Sequence, residues 1–76
     1  MYYIYQKDKL IGSSSDIEYV IEFTKLMINK AIGTEKNTSK LKQLYEDKLT
    51  VNSPKVGINQ LQHILARLEY SLEVDI

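Results

Sequence analysis

The side chains that could perform catalysis are few and widely separated in this sequence. His63 is the only histidine, and general acid–base catalysis by a histidine needs a positioned partner and a pocket. On a helix, His63 would share a face with Asn59 and Arg67, away from the neighbouring leucines. The sequence therefore predicts that His63 is a surface residue.

Glu18 and Glu22 are spaced to lie on one face of a helix, and paired carboxylates are the groups that glycosidases use. Lys25 follows Glu22 by three residues, a spacing that favours a surface ion pair. The hydroxyl run from Ser13 to Ser15 has no histidine or lysine placed to activate it. We expect none of these residues to be catalytic.

The composition excludes several other kinds of site. The chain contains no cysteine, so disulfides, thiolate catalysis and cysteine-ligated zinc are ruled out. A single histidine is too few for the usual metal sites, and no glycine belongs to a phosphate-binding loop. We therefore predict a protein that is not an enzyme and has no catalytic residue, no metal and no cofactor.

Length and charge narrow the class of protein further. The 76 residues predict a single domain over 1–76, and ten basic side chains balance ten acidic ones, which disfavours a dedicated nucleic-acid binder. No apolar run approaches the roughly 20 residues that span a bilayer, and MYYIYQKDK does not resemble a signal peptide. We expect a cytoplasmic protein with no membrane partner. The many Lys, Ile, Asn and Tyr residues have AT-rich codons and favour a bacterial or phage source.

The first predicted element of secondary structure is a β-hairpin over YYIYQKDKLIGSSS, where aromatic and aliphatic residues flank a polar turn. A two-residue turn at positions 7–8 would pair Tyr5 with Leu10 and Ile4 with Ile11. Alternation along the strands then divides the apolar side chains between two faces. One face holds Tyr2, Ile4 and Ile11, and the other holds Tyr3, Tyr5 and Leu10.

The segment SSSDIEYVIEFTKLMINKAIG predicts a first helix over about 16–32. Ser15 and Glu18 have the spacing of a capping box, and Gly33 suits a left-handed C-terminal cap. At 100° per residue, one broad apolar face would point to the core. A second apolar stripe consists of Tyr19, Phe23 and Leu26.

The second stripe has two explanations. Either the helix is central, with the sheet on one side and the other helices on the other, or the stripe is a surface for a partner or a second copy. Exposed apolar patches usually mark interfaces. The same choice arises for the hairpin, since helices that cover one sheet face leave the opposite face open.

Two more helices and a third strand complete the predicted fold. Leu41, Leu44, Tyr45 and Leu49 form the apolar stripe of a second helix behind a cap at Thr38 or Ser39. Pro54 and Gly57 break the chain before a third helix over 58–70. Alternating Leu72, Val74 and Ile76 predict a short strand, with extension of the third helix over 71–76 as the alternative. The fold class is α+β: an N-terminal β-hairpin, three helices and a C-terminal strand that joins the sheet.

Protein binding is the function that these features favour. The chain has six tyrosines, and tyrosine is enriched in interfaces and their energetic hot spots. We predict a small non-catalytic protein-binding module, of the regulator, inhibitor or adaptor type, whose partner is another protein. The predicted contact residues are Tyr3, Tyr5, Leu10, Tyr19, Phe23 and Leu26.

Two alternatives belong to other classes. A small DNA-binding transcriptional regulator would use the helix over 58–70 and the lysines of 36–55; its contact residues would be Lys40, Lys42, Lys48, Lys55, Asn59 and Arg67. The linker before that helix is longer than a helix-turn-helix turn, and Arg67 is its only basic residue. A homo-oligomeric structural protein, such as a homodimer, would instead bury the second stripe of the first helix against its own copy.

Overall fold

The computed structural model describes residues 1–75 and confirms the α+β fold. Its elements are β1 (Tyr2–Gln6), β2 (Lys9–Ser14), α1 (Ile17–Thr34), α2 (Thr38–Val51), α3 (Ile58–Arg67) and β3 (Tyr70–Val74). The strands form one antiparallel sheet in the order β2-β1-β3. The predicted hairpin, three helices and C-terminal strand are therefore all present. Ile76, predicted to belong to the last strand, lies outside the described residues.

The hairpin register differs from the prediction by one residue. Tyr5 pairs with Leu10 as expected, but Ile4 pairs with Gly12 because the register shifts between Ile4 and Tyr5. The predicted pairing of Ile4 with Ile11 is therefore wrong, and Ile11 is the extra residue of a β-bulge. The turn begins at Lys7, whose φ of 57° is the positive value that tight hairpin turns need at this position.

Of the two alternatives for the end of the chain, the structure shows a strand, and residues 71–75 do not extend α3. α3 ends at Arg67, three residues before the predicted end at 70. Glu69 has a φ of 70°, and this left-handed conformation turns the chain out of the helix and into β3. β3 then pairs with β1, with Leu72 opposite Ile4.

The caps of α1 differ from the predicted ones. The Asp16 carboxylate accepts a 3.0 Å hydrogen bond from the Glu18 backbone N–H, so Asp16, and not Ser15, is the N-cap. Gly33 remains inside α1, which ends at Thr34 with an extended residue after it. The predicted left-handed cap at Gly33 is therefore wrong.

The cap of α2 is also shifted by one residue. The Asn37 side-chain oxygen accepts hydrogen bonds from the backbone N–H groups of Ser39 (2.9 Å) and Lys40 (3.3 Å). Asn37 is therefore the N-cap, in place of the predicted Thr38 or Ser39. Asn and Asp are among the strongest N-caps, so their side chains take this role where they are available.

The core lies between one face of the sheet and the helices. Its fully or nearly buried members are Ile4, Val20, Ile28, Val51, Leu61, Ile64, Leu65 and Leu72. α1 and α3 pack on the sheet, whereas α2 packs against α1 and α3 and its backbone comes near no strand. The helices therefore lie on one face of the sheet, with α1 and α3 in direct contact with it.

Candidate interaction surface

The sheet has one face covered by helices and one face that no helix covers. Ile4 and Leu72 are cross-strand partners on the covered face, and both are buried in the core. Successive residues of a strand point to opposite faces. Tyr3 and Tyr5, which flank Ile4 on β1, therefore point to the uncovered face, which we call the outer sheet face.

The outer sheet face is organised around the central strand. Tyr3 lies between Ser13 of β2 and Glu73 of β3, and Tyr5 lies between Leu10 and Ser71. Both tyrosines are half-buried by these neighbours, whereas Leu10 is 48% exposed. The structure therefore brings together the three predicted contact residues of the hairpin, two of them in the middle of the sheet.

The free edges of the sheet are both obstructed. The bulge at Ile11 interrupts the regular ladder of β2, and bulges are one way in which proteins prevent an edge from pairing with another chain. On β3, the Gln62 side-chain amide donates a 3.1 Å hydrogen bond to the Leu72 carbonyl. An extended partner segment would have to displace this bond, so the face is more accessible to a partner than the edges are.

The second stripe of α1 is divided by the fold. Phe23 packs edge-on against Tyr70 of β3, with ring centroids 5.3 Å apart and an interplanar angle of 89°. The ring of Tyr19 lies over β2, where a Cβ atom at Gly12 would overlap its hydroxyl. Leu26 remains 62% exposed. Phe23 therefore contributes to the core, and Tyr19 and Leu26 form the exposed part of the stripe.

The six residues predicted for nucleic-acid binding are distributed over α2, the loop that follows it and α3. Lys40 and Arg67 line the same cleft, while Lys42, Lys48, Lys55 and Asn59 are exposed elsewhere on α2, the following loop and the start of α3. Residues 52–57 separate α2 from α3, which is longer than the turn of a helix-turn-helix motif.

Arg67 forms an ion pair with Asp47 that the sequence did not indicate. Its Nε donates to Asp47 Oδ2 at 3.1 Å, its Nη2 donates to Oδ1, and Gln43 donates to the same Oδ1 at 3.0 Å. The hydrogen bonds from Arg67 to Asp47 raise the pKa of Arg67 above its ordinary value; partial burial opposes the rise, and the Asp47 charge adds to it. The Asp47 side chain is only 3% exposed, so this pair holds α2 to the end of α3.

A cleft of about 500 Å³ lies beside this ion pair. Its charged lining residues are Glu35, Lys40, Asp47, Arg67 and Glu69. The Glu35 carboxylate already accepts two backbone N–H groups of the loop before α2. In residues 1–75, every buried side-chain nitrogen or oxygen has a hydrogen-bond partner. The cleft therefore presents mixed charges and no unsatisfied buried group that would indicate a ligand.

The residues considered for catalysis stand apart from this cleft. His63 is exposed on α3, and Glu22 forms the expected pair with Lys25 at 3.5 Å. Over the described part of the chain, no three His, Cys, Asp or Glu side chains are grouped so that they could hold a metal ion. None of the helices described for residues 1–75 has the length and apolarity needed to cross a membrane.

No family model, no curated protein and no solved structure matches this chain.

Proposed function

We propose that this protein is a small non-catalytic protein-binding module, and that the outer sheet face is its main contact surface. The observation that carries this proposal is that every helix lies on the Ile4 side of the sheet, while Tyr3, Tyr5 and Leu10 lie together on the side without a helix. Tyrosine can contribute a large apolar ring and a hydroxyl to an interface with little loss of conformational freedom.

The outer sheet face is smaller than a standard protein–protein interface, so its area limits how a partner can bind. A three-stranded sheet with strands of about five residues measures roughly 14 Å by 17 Å in projection. A standard interface buries about 800 Å² on each partner. The partner must therefore extend past the face, and the exposed Leu10 and Ile11 make the β2 side the apolar direction in which to extend.

The outer sheet face is a better candidate for the main contact surface than the exposed residues of α1, because its tyrosines are adjacent. Tyr3 and Tyr5 occupy neighbouring positions on one face of β1, whereas Tyr19 and Leu26 are separated by the half-buried Phe23. Energetic hot spots cluster near the centre of an interface. A central pair of tyrosines meets that requirement better than two separate residues on a helix.

The test is affinity capture with the tagged full chain from a lysate of its host, read by mass spectrometry with and without nuclease treatment. We expect one protein to be retained in both samples, and its recovery to be lost with the Tyr3→Ala, Tyr5→Ala double variant. A Tyr19→Ala, Leu26→Ser variant is the matched control, because it removes an exposed aromatic and an exposed aliphatic residue from α1.

The folded state of each variant is checked by circular dichroism. Undiminished capture by the tyrosine double variant would contradict the outer-face surface. Recovery that disappears with nuclease would instead favour the DNA-binding alternative. A change of mass in solution with concentration, in the absence of any captured protein, would favour the homo-oligomeric alternative.

A further inference from the structure

α2 exposes an apolar stripe that the fold leaves without a partner. Tyr45 is 53% exposed and Leu49 is 76% exposed, the highest value among the large apolar residues that the structure describes as exposed. These residues are one helical turn apart, and the half-buried Leu41 precedes Tyr45 by another turn. The sequence pattern placed both residues with Leu41 and Leu44 in one apolar stripe, and of these four the structure buries only Leu44.

The buried face of α2 is a different one. Leu44, Asp47 and Val51 are its buried residues, and the Asp47 carboxylate is directed to Arg67 of α3. The helix has therefore placed a charged side chain inside the protein and left a tyrosine and a leucine in solvent. A stripe that is not required by the core and is exposed despite its apolar character indicates a contact surface.

Lysines border this stripe on both sides. At 100° per residue, Lys42 lies about 60° to one side of Tyr45 and Lys48 about 60° to the other. Within residues 1–75, neither lysine forms a salt bridge. The acidic Glu46 lies beyond Lys42, about 100° from Tyr45 and about 60° from Leu49. The apolar stripe is therefore set between two positive charges that have no internal partner.

We infer that the Tyr45–Leu49 stripe binds an amphipathic helix whose apolar stripe is bordered by acidic residues. A helix laid on a helix places its own apolar i, i+4 positions against Tyr45 and Leu49, and its bordering carboxylates then face Lys42 and Lys48. A second copy of this chain fits less well, because it would bring the same lysine borders to the interface. Opposite charges across an interface select the partner and its register.

This surface is separate from the outer sheet face. α2 contacts the other two helices and none of the described strands, so a helix on the Tyr45–Leu49 stripe leaves Tyr3 and Tyr5 free. The molecule therefore has two separate contact surfaces. With both occupied, it would link two partners.

The test uses two synthetic helical peptides with the same leucine stripe, one bordered by Glu and the other by Lys. Each is titrated into the ¹⁵N-labelled full chain while backbone amide signals are followed by NMR. We expect saturable shifts at Tyr45, Leu49 and their α2 neighbours, with the Glu-bordered peptide binding about tenfold more tightly, which corresponds to about 1.4 kcal/mol.

Variants distinguish the contribution of the apolar stripe from that of the bordering lysines. Leu49→Ser should weaken binding of the Glu-bordered peptide about tenfold, while the matched control Leu26→Ser, an exposed leucine of α1, should leave it unchanged. Lys42→Gln with Lys48→Gln should remove most of the preference for the Glu-bordered peptide. The Tyr3→Ala, Tyr5→Ala variant should bind the peptide normally, so failure of the outer-face proposal is distinguishable from failure of this one.

Three results would overturn the inference. One is the absence of α2 shifts at the highest peptide concentration, and another is equal binding of the two peptides. The third is self-association of the protein alone, measured by sedimentation, that Leu49→Ser abolishes; a second copy would then be the occupant of the stripe.

Discussion

α2 and α3 have apolar residues at similar spacings, but α3 buries these residues and α2 leaves part of them exposed. Leu61, Ile64 and Leu65 of α3 are all buried, as their spacing predicts. In α2, Tyr45 and Leu49 are exposed, and Asp47 is buried in their place. α3 packs on the sheet and on α1, whereas α2 is an outer helix that packs on other helices only.

The difference shows what hydrophobic periodicity measures. A helix with apolar surfaces around it must bury its whole stripe, so α3 follows its pattern. An outer helix needs only a narrow contact, and one strong polar interaction can decide which face makes it. In α2, that face contains Leu44, Val51 and Asp47, and Asp47 pairs with Arg67. The following predictions test this contrast, beginning with the largest effect.

Leu65→Ala should have the largest effect on stability. Leu65 is fully buried, and truncation of a buried leucine costs about 2–5 kcal/mol. A domain of this size has on the order of 4–11 kcal/mol of stability, so the variant should lose a large part of it. Urea denaturation followed by circular dichroism measures the change. Leu26→Ala on α1 is the exposed control, and an equally large loss there would argue against burial as the cause.

Arg67→Ala should destabilise the protein by about 2 kcal/mol. Removing one partner of a buried ion pair leaves the other charge unpaired, at a cost of about 3–5 kcal/mol when both are buried. The Arg67 side chain is 44% exposed, so water can reach the site and we reduce that figure. The measurement is again the free energy of unfolding in urea.

A double variant tests the cause of this loss. Asp47→Leu combined with Arg67→Leu removes both charges, and we expect it to be more stable than Arg67→Ala alone, because no unpaired charge remains buried. If the double variant were the less stable of the two, an unpaired Asp47 charge would not be the cause of the loss in Arg67→Ala.

Glu69→Gly should stabilise the protein by about 0.5 kcal/mol. Glu69 follows the end of α3 with a φ of 70°, and left-handed backbone costs a residue with a Cβ about 1–2 kcal/mol, which glycine avoids. Part of this gain is lost because glycine has greater freedom in the unfolded chain. Thermal unfolding detects the gain. Glu69→Ala retains the backbone cost and removes the charge, so a gain of equal size in that variant would assign the effect to charge.

Leu49→Ser should have the smallest effect, a change in stability below about 0.5 kcal/mol. The residue is 76% exposed and contributes little to the core. The same urea titration measures the free energy of unfolding of Leu49→Ser and of Leu65→Ala. The difference between the two losses measures how differently α2 and α3 contribute to the core. A loss of stability close to that of Leu65→Ala would show that the outer stripe of α2 is packed in solution.

Much of the fold could be predicted from local sequence, and the departures have physical reasons. Alternation and helical spacing predicted every element, because each is set by residues close together in the chain. The bulge at Ile11 and the caps at Asp16 and Asn37 were missed by one residue, since neighbouring polar or apolar residues compete for each position. The Asp47–Arg67 pair was missed because it joins two helices, and no local pattern records which partner a charge will find.

The candidate surface could be predicted in part. Alternation along β1 placed Tyr3 and Tyr5 on the same face as Leu10, but could not show which face the helices cover, because both faces of the hairpin are apolar. That choice depends on long-range packing of Ile4 with Leu72 and the helices. Phe23 was grouped with Tyr19 and Leu26 for the same reason: its contact with Tyr70 links residues that are remote in sequence.

The pairing of β1 with β3 also has a consequence for the order of folding. The hairpin and the helices involve neighbours in the chain and can form early, but Ile4 meets Leu72 only when the two ends of the described chain come together. Contacts between such distant residues carry the largest loop-closure cost and slow folding. We expect the joining of β1 and β3 to be the late step, and until it occurs the hairpin exposes the edge of β1 and its isoleucine to other unfolded chains.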